Sequence, residues 1–120
     1  MNAPEPWPVE LRVNTAKDLL TVKFDKGQSF QLPAEYLRVE SPSAEVQGHT
    51  PQQRSFVPGK RNVKIAAMEP VGHYAVRIVF DDGHDSGLYT WNYLRELGYE
   101  RERKWDAYLK GLAAQGLSRE

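Results

Sequence analysis

The segment DGHDSGLYTWNYL, residues 82–94, decides the fold. Its first half carries the Asp, Gly and Ser residues that tight turns require, and a short strand-like stretch follows at residues 86–89. Beyond that stretch, apolar residues recur at helical spacing, namely Trp91, Leu94 and Leu97. We expect a helix there, with Thr90 as its N-cap and Gly98 as its C-cap. The segment therefore predicts a turn, a strand and a helix in direct succession.

Strand patterns precede this segment along the chain. Apolar and polar residues alternate, with β-branched and aromatic side chains, at residues 10–13, 19–24, 29–32, 63–70 and 74–80. Turn residues separate the first three of these stretches, so three antiparallel strands should open the domain. Pro33 has the fixed φ that suits a first helical turn, and it predicts a short helix over residues 34–38.

A charged amphipathic helix is predicted over residues 101–114. Its apolar stripe consists of Trp105, Tyr108, Leu109 and Leu112. A stripe of this kind usually packs on a sheet, and a docking face for a partner is the alternative.

These elements predict an α+β fold. We expect an antiparallel sheet of about five or six strands, a short helix after Pro33, and C-terminal helices packed on one face. The aromatic residues 89 and 91, with Leu94, are expected to fill the core beneath the turn. The predicted divisions are a flexible lead-in over residues 1–8, a domain over 9–97, and an amphipathic helical extension over 98–120.

Residues 40–62 form a stretch rich in Ser, Pro, Gly and Gln with few apolar side chains. Loops longer than about 15 residues in compact domains are usually functional or disordered. The composition offers little apolar surface to offset the entropy of ordering, so this segment is expected to be the most mobile internal part of the chain.

Charge and cysteine content exclude several classes of function. Among 120 residues, Lys plus Arg total 16 and Asp plus Glu total 16, so the basic excess that supports nucleic-acid binding is lacking. There is no Cys, which excludes disulfides, thiolate nucleophiles and thiolate metal sites. Apolar runs do not reach the roughly 20 residues needed to cross a membrane, and no secretory pattern opens the sequence. A cytoplasmic protein without nucleic-acid or membrane partners is expected.

The residues that could carry chemistry are few. His84 follows Asp82 and Gly83 in the turn, and imidazole with carboxylate suits zinc or non-haem iron, whereas Asp and Gly there also satisfy turn requirements alone. A second histidine ligand would have to be His49 or His73. Ser41 and Ser86 lie outside any Gly-x-Ser-x-Gly elbow, so a hydrolase is disfavoured.

Basic residues are concentrated in the central part of the sequence. We predict an interaction surface for an acidic partner or anion, with a solvated face as the alternative. Its candidate residues are Arg38, His49, Arg54, Lys60 and Arg61.

Two motifs resemble the N-terminal domain of gamma-butyrobetaine hydroxylase-type oxygenases. They are LPAEYLR at residues 32–38 and the segment 82–94 that carries His84. In that family three cysteines and the histidine bind zinc. Where the cysteines would lie, this sequence has Ser41, Ser43 and Val46. The resemblance leaves His84 as the one retained metal ligand, and the metal that it would imply is zinc or iron. Because the cysteines are missing, we expect the protein to hold no cofactor.

The resemblance also implies a function. Similar domains stand alone in bacteria or are appended to P-loop ATPases implicated in iron–sulfur cluster assembly, and the catalytic β-helix of the oxygenases is a separate domain. A small non-enzymatic interaction or accessory module is therefore expected, with an iron–sulfur assembly ATPase or a redox enzyme as its partner. The alternative is a metal-binding protein, or an oxygenase-related subunit, that uses His84.

Overall fold

The computed structural model describes residues 6–120. Within that range six strands form two three-stranded antiparallel sheets, in the order β1-β2-β3 and β4-β5-β6. The strands are β1 (Pro8–Val13), β2 (Leu19–Phe24), β3 (Ser29–Pro33), β4 (Ile65–Val71), β5 (Ala75–Phe80) and β6 (Leu88–Thr90). The helices are α1 (Ala34–Val39), α2 (Ala44–Gln47), α3 (Trp91–Tyr99) and α4 (Arg101–Ala114), with a 3-10 turn at Pro51–Gln53.

The turns between the strands set the strand register in both sheets, through an asparagine side chain in one turn and glycines in two others. Between β1 and β2, the Asn14 side-chain oxygen accepts from the backbone N–H groups of Asp18 and Leu19. Gly27 between β2 and β3 has a φ of 95°, in the left-handed region that glycine enters without strain. Gly72 plays the same part between β4 and β5, with a φ of 55°. These turns confirm the predicted antiparallel hairpins.

The α+β class and the six antiparallel strands are confirmed, but the strands divide between two sheets. The chain leaves β3 at Pro33 and turns into α1, so β3 and β4 do not pair. A backbone hydrogen bond of 2.8 Å from Ile65 N to Lys17 O joins the start of β4 to the first hairpin. Both sheets contribute to one core, formed by Leu20, Val22, Leu32, Val76, Ile78 and Phe80 with Leu37, Leu94 and Leu97.

Helix α1 lies at the centre of this core, and all six of its residues are buried. Its start is fixed by Pro33 and by a 2.8 Å bond from Ala34 N to Asp18 O. The predicted helix after Pro33 is confirmed. Because α1 is short and buried, its backbone carbonyls need partners from elsewhere in the fold.

Helix α3 begins as predicted and ends later than predicted. The Thr90 hydroxyl accepts from Tyr93 N at 3.1 Å, which confirms the N-cap. The prediction that Gly98 caps the C-terminus is wrong, because the helix continues to Tyr99 and its C-cap is Glu100. Gly98 is instead a close-packing position, where a Cβ would lie 2.3 Å from Phe30 Cγ.

Two expectations about apolar side chains need correction. Trp91 is half-buried at the start of α3, and its indole N–H donates to the His73 carbonyl, so it does not fill the core as Tyr89 and Leu94 do. The α4 stripe is only partly buried, since Tyr108 and Leu112 pack against Val39 of α1. Trp105 is half-buried against this cluster and the main core, whereas Leu109 is exposed, because α1 and not a sheet face lies beneath α4.

Residues 40–62 are more structured than expected. They contain α2 and the 3-10 turn, and they bury Glu40, Ser41, Ser43 and Val46. Polar contacts order the segment where apolar surface is scarce. Its mobility relative to the rest of the chain stays a prediction.

The predicted divisions can be placed on the structure only in part. Residues 1–5 of the expected lead-in lie outside the described residues. Pro8 already belongs to β1, and Trp7 N donates to Asp25 Oδ1 at 3.0 Å. Helix α3 runs across position 98, and α4 shares a buried cluster with α1.

The variant Gly98→Ala tests the packing at α3. Helix propensity alone predicts a gain of about 1 kcal/mol for this change. Because the new Cβ would overlap the Phe30 ring, we expect a loss of about 1–3 kcal/mol in the free energy of unfolding instead. Denaturant unfolding measures the sign. As a control, Gly98→Ala in a Phe30→Ala background should no longer destabilise; a loss that persists there would contradict the steric explanation.

Candidate functional site

The turn between β5 and β6 carries His84 into the interior. His84 N donates to Asp82 Oδ1 at 3.0 Å, and Phe80 N donates to the His84 carbonyl at 3.0 Å. Gly83, with a φ of 90°, permits the reversal. The side chain of His84 therefore points at the segment that follows α1, where it meets Ser41 and Glu45.

His84 lies in a polar chain between Ser41 and Glu45. Its Nε2 is 2.8 Å from Ser41 Oγ, and its Nδ1 is 3.2 Å from Glu45 Oε2. A carboxylate only accepts, so Nδ1 carries the proton and the Ser41 hydroxyl donates to Nε2. Burial lowers the pKa of His84 from its ordinary value, and the Arg38 guanidinium lowers it further, while Glu45 and Asp82 partly oppose this. The imidazole is neutral in this arrangement.

A pair of serines adds a second contact between the β5–β6 turn and the segment after α1. Ser43 Oγ and Ser86 Oγ lie 2.7 Å apart, and Ser43 also caps α2 by accepting from Glu45 N. Gly87 passes so close that a Cβ there would lie 2.5 Å from Ser41 Oγ. The β5–β6 turn and the segment after α1 are thus joined by side-chain bonds at several points.

Asp82 forms ion pairs with two basic side chains at the edge of this cluster. Its Oδ2 lies 2.8 Å from Arg38 Nε and 2.7 Å from Lys60 Nζ. Burial opposes ionisation of Asp82, but the hydrogen bonds from Lys60, the His84 backbone and Arg38 outweigh it and lower the pKa to about 2. The carboxylate is therefore charged at neutral pH.

The five residues predicted to form an interaction surface lie in different places and have different partners. Arg38 and Lys60 meet at Asp82, as described above. Arg54 Nη2 lies 2.7 Å from the buried carboxylate of Glu40, and Arg61 pairs with Glu120 at the surface. His49 is exposed, and its backbone N–H donates to Gln53. The structure therefore brings Arg38 and Lys60 together but does not gather all five residues into one surface.

The residues at the family's zinc positions do not fit zinc. Ser41 and Ser43 lie beside the His84 turn as the motif alignment implies, and Val46 is buried nearby. Two neutral hydroxyls, an alkyl side chain and one imidazole are a poor donor set for a four-coordinate zinc ion. Across residues 6–120, no group of three or more His, Cys, Asp or Glu side chains is placed to hold a metal ion.

The Ser41–His84–Glu45 order resembles the hydrogen-bond relay of serine hydrolases. A nucleophile must reach its substrate, and Ser41 has 0% of its surface exposed. Its hydroxyl also accepts from Ser43 N at 3.3 Å. The chain of bonds therefore holds two segments together and is not built for acyl transfer.

A separate groove lies between the start of α1, the end of α3 and α4. Its volume is about 830 Å³. Tyr36 and Trp105 contribute aromatic surface to it, while Tyr99 is 62% exposed and Leu109 is 38% exposed. The sequence alone does not reveal this groove, although the apolar stripe of α4, with its alternative as a docking face, is the signal that points to it.

These features define a small α+β domain with a closed polar cluster at His84 and an open aromatic groove on the helical side. The chain belongs to the family described as gamma-butyrobetaine hydroxylase-like, N-terminal, whose model matches residues 11–95. Comparison with curated proteins gave no match. Among the described helices, none is long and apolar enough to span a membrane.

Solved structures share the fold over most of the chain. One NMR solution structure is 46% identical, with a TM-score of 0.81, and the match covers 96% of this chain and 90% of the other. A second NMR solution structure is 45% identical, with a TM-score of 0.84 and coverage of 100% and 89%. A crystal structure of a protein with unknown function from Acidithiobacillus ferrooxidans, assigned to the DUF971 family, is 38% identical, with a TM-score of 0.63 and coverage of 76% and 91%.

The lowered pKa of His84 predicts a pH-dependent stability. A buried histidine with a depressed pKa favours folding above its unfolded pKa of about 6.5, and that contribution is lost as the pH falls through the folded value. Stability should therefore fall below about pH 6.5, by at most about 1.4 kcal/mol per pH unit for one proton. Denaturant unfolding of His84→Asn between pH 5 and 7 should show a smaller slope.

His49→Asn is the matched control, because His49 is exposed and its backbone N–H donates to Gln53, outside the polar cluster. It should keep the slope of the natural protein. An unchanged slope in His84→Asn would contradict a neutral, buried imidazole at this site.

Proposed function

We propose that this domain is a non-enzymatic protein-interaction module whose docking surface is the groove between α1, α3 and α4. The observation that carries the proposal is the exposure of Tyr99 and Leu109 beside Trp105 in a groove of about 830 Å³. Aromatic residues in a concavity are the usual anchors of protein interfaces. The closed serine–histidine cluster supports the same conclusion, because its hydroxyl has no access to a substrate.

The charges along the groove favour a basic partner segment. Glu35 and Arg119 neutralise each other in a two-bond ion pair, with oxygen–nitrogen distances of 2.8 and 2.7 Å. Glu102 and Asp106 lie on the exposed side of α4, four residues apart, and Asp106 pairs with Lys110 at the surface. Arg101 also lines the groove and donates to the Gln31 carbonyl, so three acidic and two basic lining residues leave one negative charge in excess. The occupant we propose is a segment of a partner protein that places an apolar side chain near Trp105 and a Lys or Arg beside Glu102.

The family resemblance supports two classes of partner within this proposal. It favours an iron–sulfur assembly ATPase or a redox enzyme, in the cytoplasm, for which the domain acts as an accessory. The alternative of a zinc or iron protein using His84 has less support, because the neighbouring side chains do not complete a ligand set.

The test uses two double variants of matched composition. In Tyr99→Ser/Leu109→Ser the groove loses its exposed apolar side chains, and Tyr74→Ser/Leu88→Ser removes a tyrosine that is 55% exposed and a leucine that is 41% exposed, away from the groove. A partner recovered from the native cell with the natural domain is purified and titrated into each protein. We expect the groove variant to weaken binding at least about tenfold and the control variant to leave it within about twofold.

Amide chemical shifts then locate the contact. Perturbations should centre on Gly98, Glu102 and Leu109, which line the groove. Shifts centred on the β5–β6 turn, equal binding by both variants, or the absence of any partner for the natural domain would contradict the proposal.

A further inference from the structure

The chain returns to the groove after α4 ends. The backbone reverses at Gly116, which has a φ of 67°, and we call residues 117–120 the return segment. Two backbone hydrogen bonds attach this segment to the loop before β4, from Gly59 N to Ser118 O at 3.0 Å and from Arg61 N to Arg119 O at 3.1 Å. The segment therefore runs beside that loop and brings Arg119 to the wall of the groove.

Arg119 anchors the return segment. Among residues 113–120 it is the one residue that is not exposed. Its Nε and Nη2 both donate to the Glu35 carboxylate, and its guanidinium carbon lies 5.2 Å from the centre of the Trp105 ring. A two-bond pairing with a carboxylate, combined with a guanidinium over an aromatic ring, is a geometry that arginine can form and lysine cannot reproduce. The groove thus contains a guanidinium site that the chain itself occupies.

Glu35 requires a cation at this position. Its side chain is 8% exposed, so removal of Arg119 without a replacement would leave a nearly buried carboxylate without its counter-charge. A neutral side chain cannot take that place, whereas a second guanidinium can form the same two bonds. The Arg119 side chain is 35% exposed, so a replacement can approach from solvent.

The rest of the return segment is weakly attached. Leu117 is 39% exposed, and Glu120 pairs with Arg61 at the surface, where their side chains are 66% and 53% exposed. Surface ion pairs contribute little to stability, and exposed backbone hydrogen bonds open readily. The segment can therefore leave the groove once its arginine is replaced.

We propose that Glu35 and Trp105 form an arginine subsite of the docking groove. Arg119 occupies this subsite in the free domain, and an arginine of the partner segment takes it over on binding. The inference rests on the proposed function of the groove and specifies one residue type that the partner brings to it.

The charges of the groove favour this exchange. When Arg119 leaves, the acidic lining residues Glu35, Glu102 and Asp106 face one basic lining residue, Arg101. The excess of negative charge then rises from one to two. A partner segment with two basic residues matches that excess, with an arginine at Glu35 and a Lys or Arg beside Glu102.

A first experiment tests the subsite without the partner. The probe is N-acetyl-arginine-N-methylamide, and its lysine and citrulline counterparts are the charged and uncharged comparisons. Each is titrated at constant ionic strength into Arg119→Ala, the natural protein and Arg103→Ala, and the Trp105 indole N–H chemical shift reports binding. Arg103 is the matched control, because it is an α4 arginine that pairs with Glu100 at the surface and does not line the groove.

We expect saturable binding of the arginine probe to Arg119→Ala, with a dissociation constant in the roughly millimolar range. The lysine probe should bind at least about fivefold more weakly, and the citrulline probe should not saturate. In the natural protein and in Arg103→Ala, the tethered Arg119 competes at an effective concentration in the millimolar range, so the arginine probe should bind at least about fivefold more weakly there.

Equal binding of the three probes, or no binding of the arginine probe to Arg119→Ala, would overturn the proposal. Amide chemical shifts show whether Arg119→Ala is folded. If it is not, Arg119→Lys replaces it, because this variant keeps the charge at Glu35 and loses the two-bond geometry. The same order of probe affinities is then required.

A second experiment measures the displacement with the purified partner. Removal of the competing side chain in Arg119→Ala should strengthen partner binding about three- to tenfold, and Arg103→Ala should bind as the natural domain does. An Arg119 that serves only stability would leave the affinity unchanged or lower it, and either result would overturn the proposal. So would self-association of Arg119→Ala, which would assign the subsite to a second copy of the chain. Rejection of the groove itself comes from a different result, unchanged partner binding by Tyr99→Ser/Leu109→Ser.

Discussion

The backbone carbonyls at the C-terminal end of α1 are the constraint on which the rest of the structure depends. All six residues of this helix are buried, so the carbonyl oxygens of its last turn need hydrogen-bond donors from the protein. Tyrosine hydroxyls take that role: Tyr89 donates to Leu37 O and Tyr93 to Glu40 O, each at 2.5 Å. Tyr36 of α1 donates in return to Leu97 O in α3 at 2.7 Å. Burial raises the pKa of all three phenols, so they stay protonated as donors.

These bonds also position the polar cluster. Because Tyr89 in β6 is tied to α1, the β5–β6 turn is brought against the residues that follow the helix. Ser41 and Ser43 then meet His84 and Ser86, and Arg38 reaches Asp82. A zinc ion would join the same two segments in a protein with the thiolate ligands. Here hydrogen bonds and ion pairs make that connection.

Sequence patterns predicted what local chemistry determines. Alternation predicted the strands, Pro33 the start of α1, and Thr90 the cap of α3, because each depends on neighbours within a few residues. The local pattern favours Gly98 as a helix cap. Its actual role is close packing against the Phe30 ring, which is distant in sequence and leaves no local signal. The order within residues 40–62 was missed for the same reason, since Ser41 and Ser43 bond to partners 43 positions away. The α4 stripe indicates an exposed apolar face, but the groove itself depends on how α4 packs beside α1 and α3, which no local pattern encodes.

If a tyrosine hydroxyl satisfies a buried α1 carbonyl, the variant Tyr89→Phe should destabilise the fold. The substitution keeps the ring and removes the hydroxyl that donates to Leu37 O. We predict a loss of about 1–3 kcal/mol in the free energy of unfolding, the cost of an unsatisfied buried carbonyl. Tyr99→Phe, in an exposed tyrosine on α3, should change it by less than about 0.5 kcal/mol. Equal stability of Tyr89→Phe and the natural protein in denaturant unfolding would contradict the account.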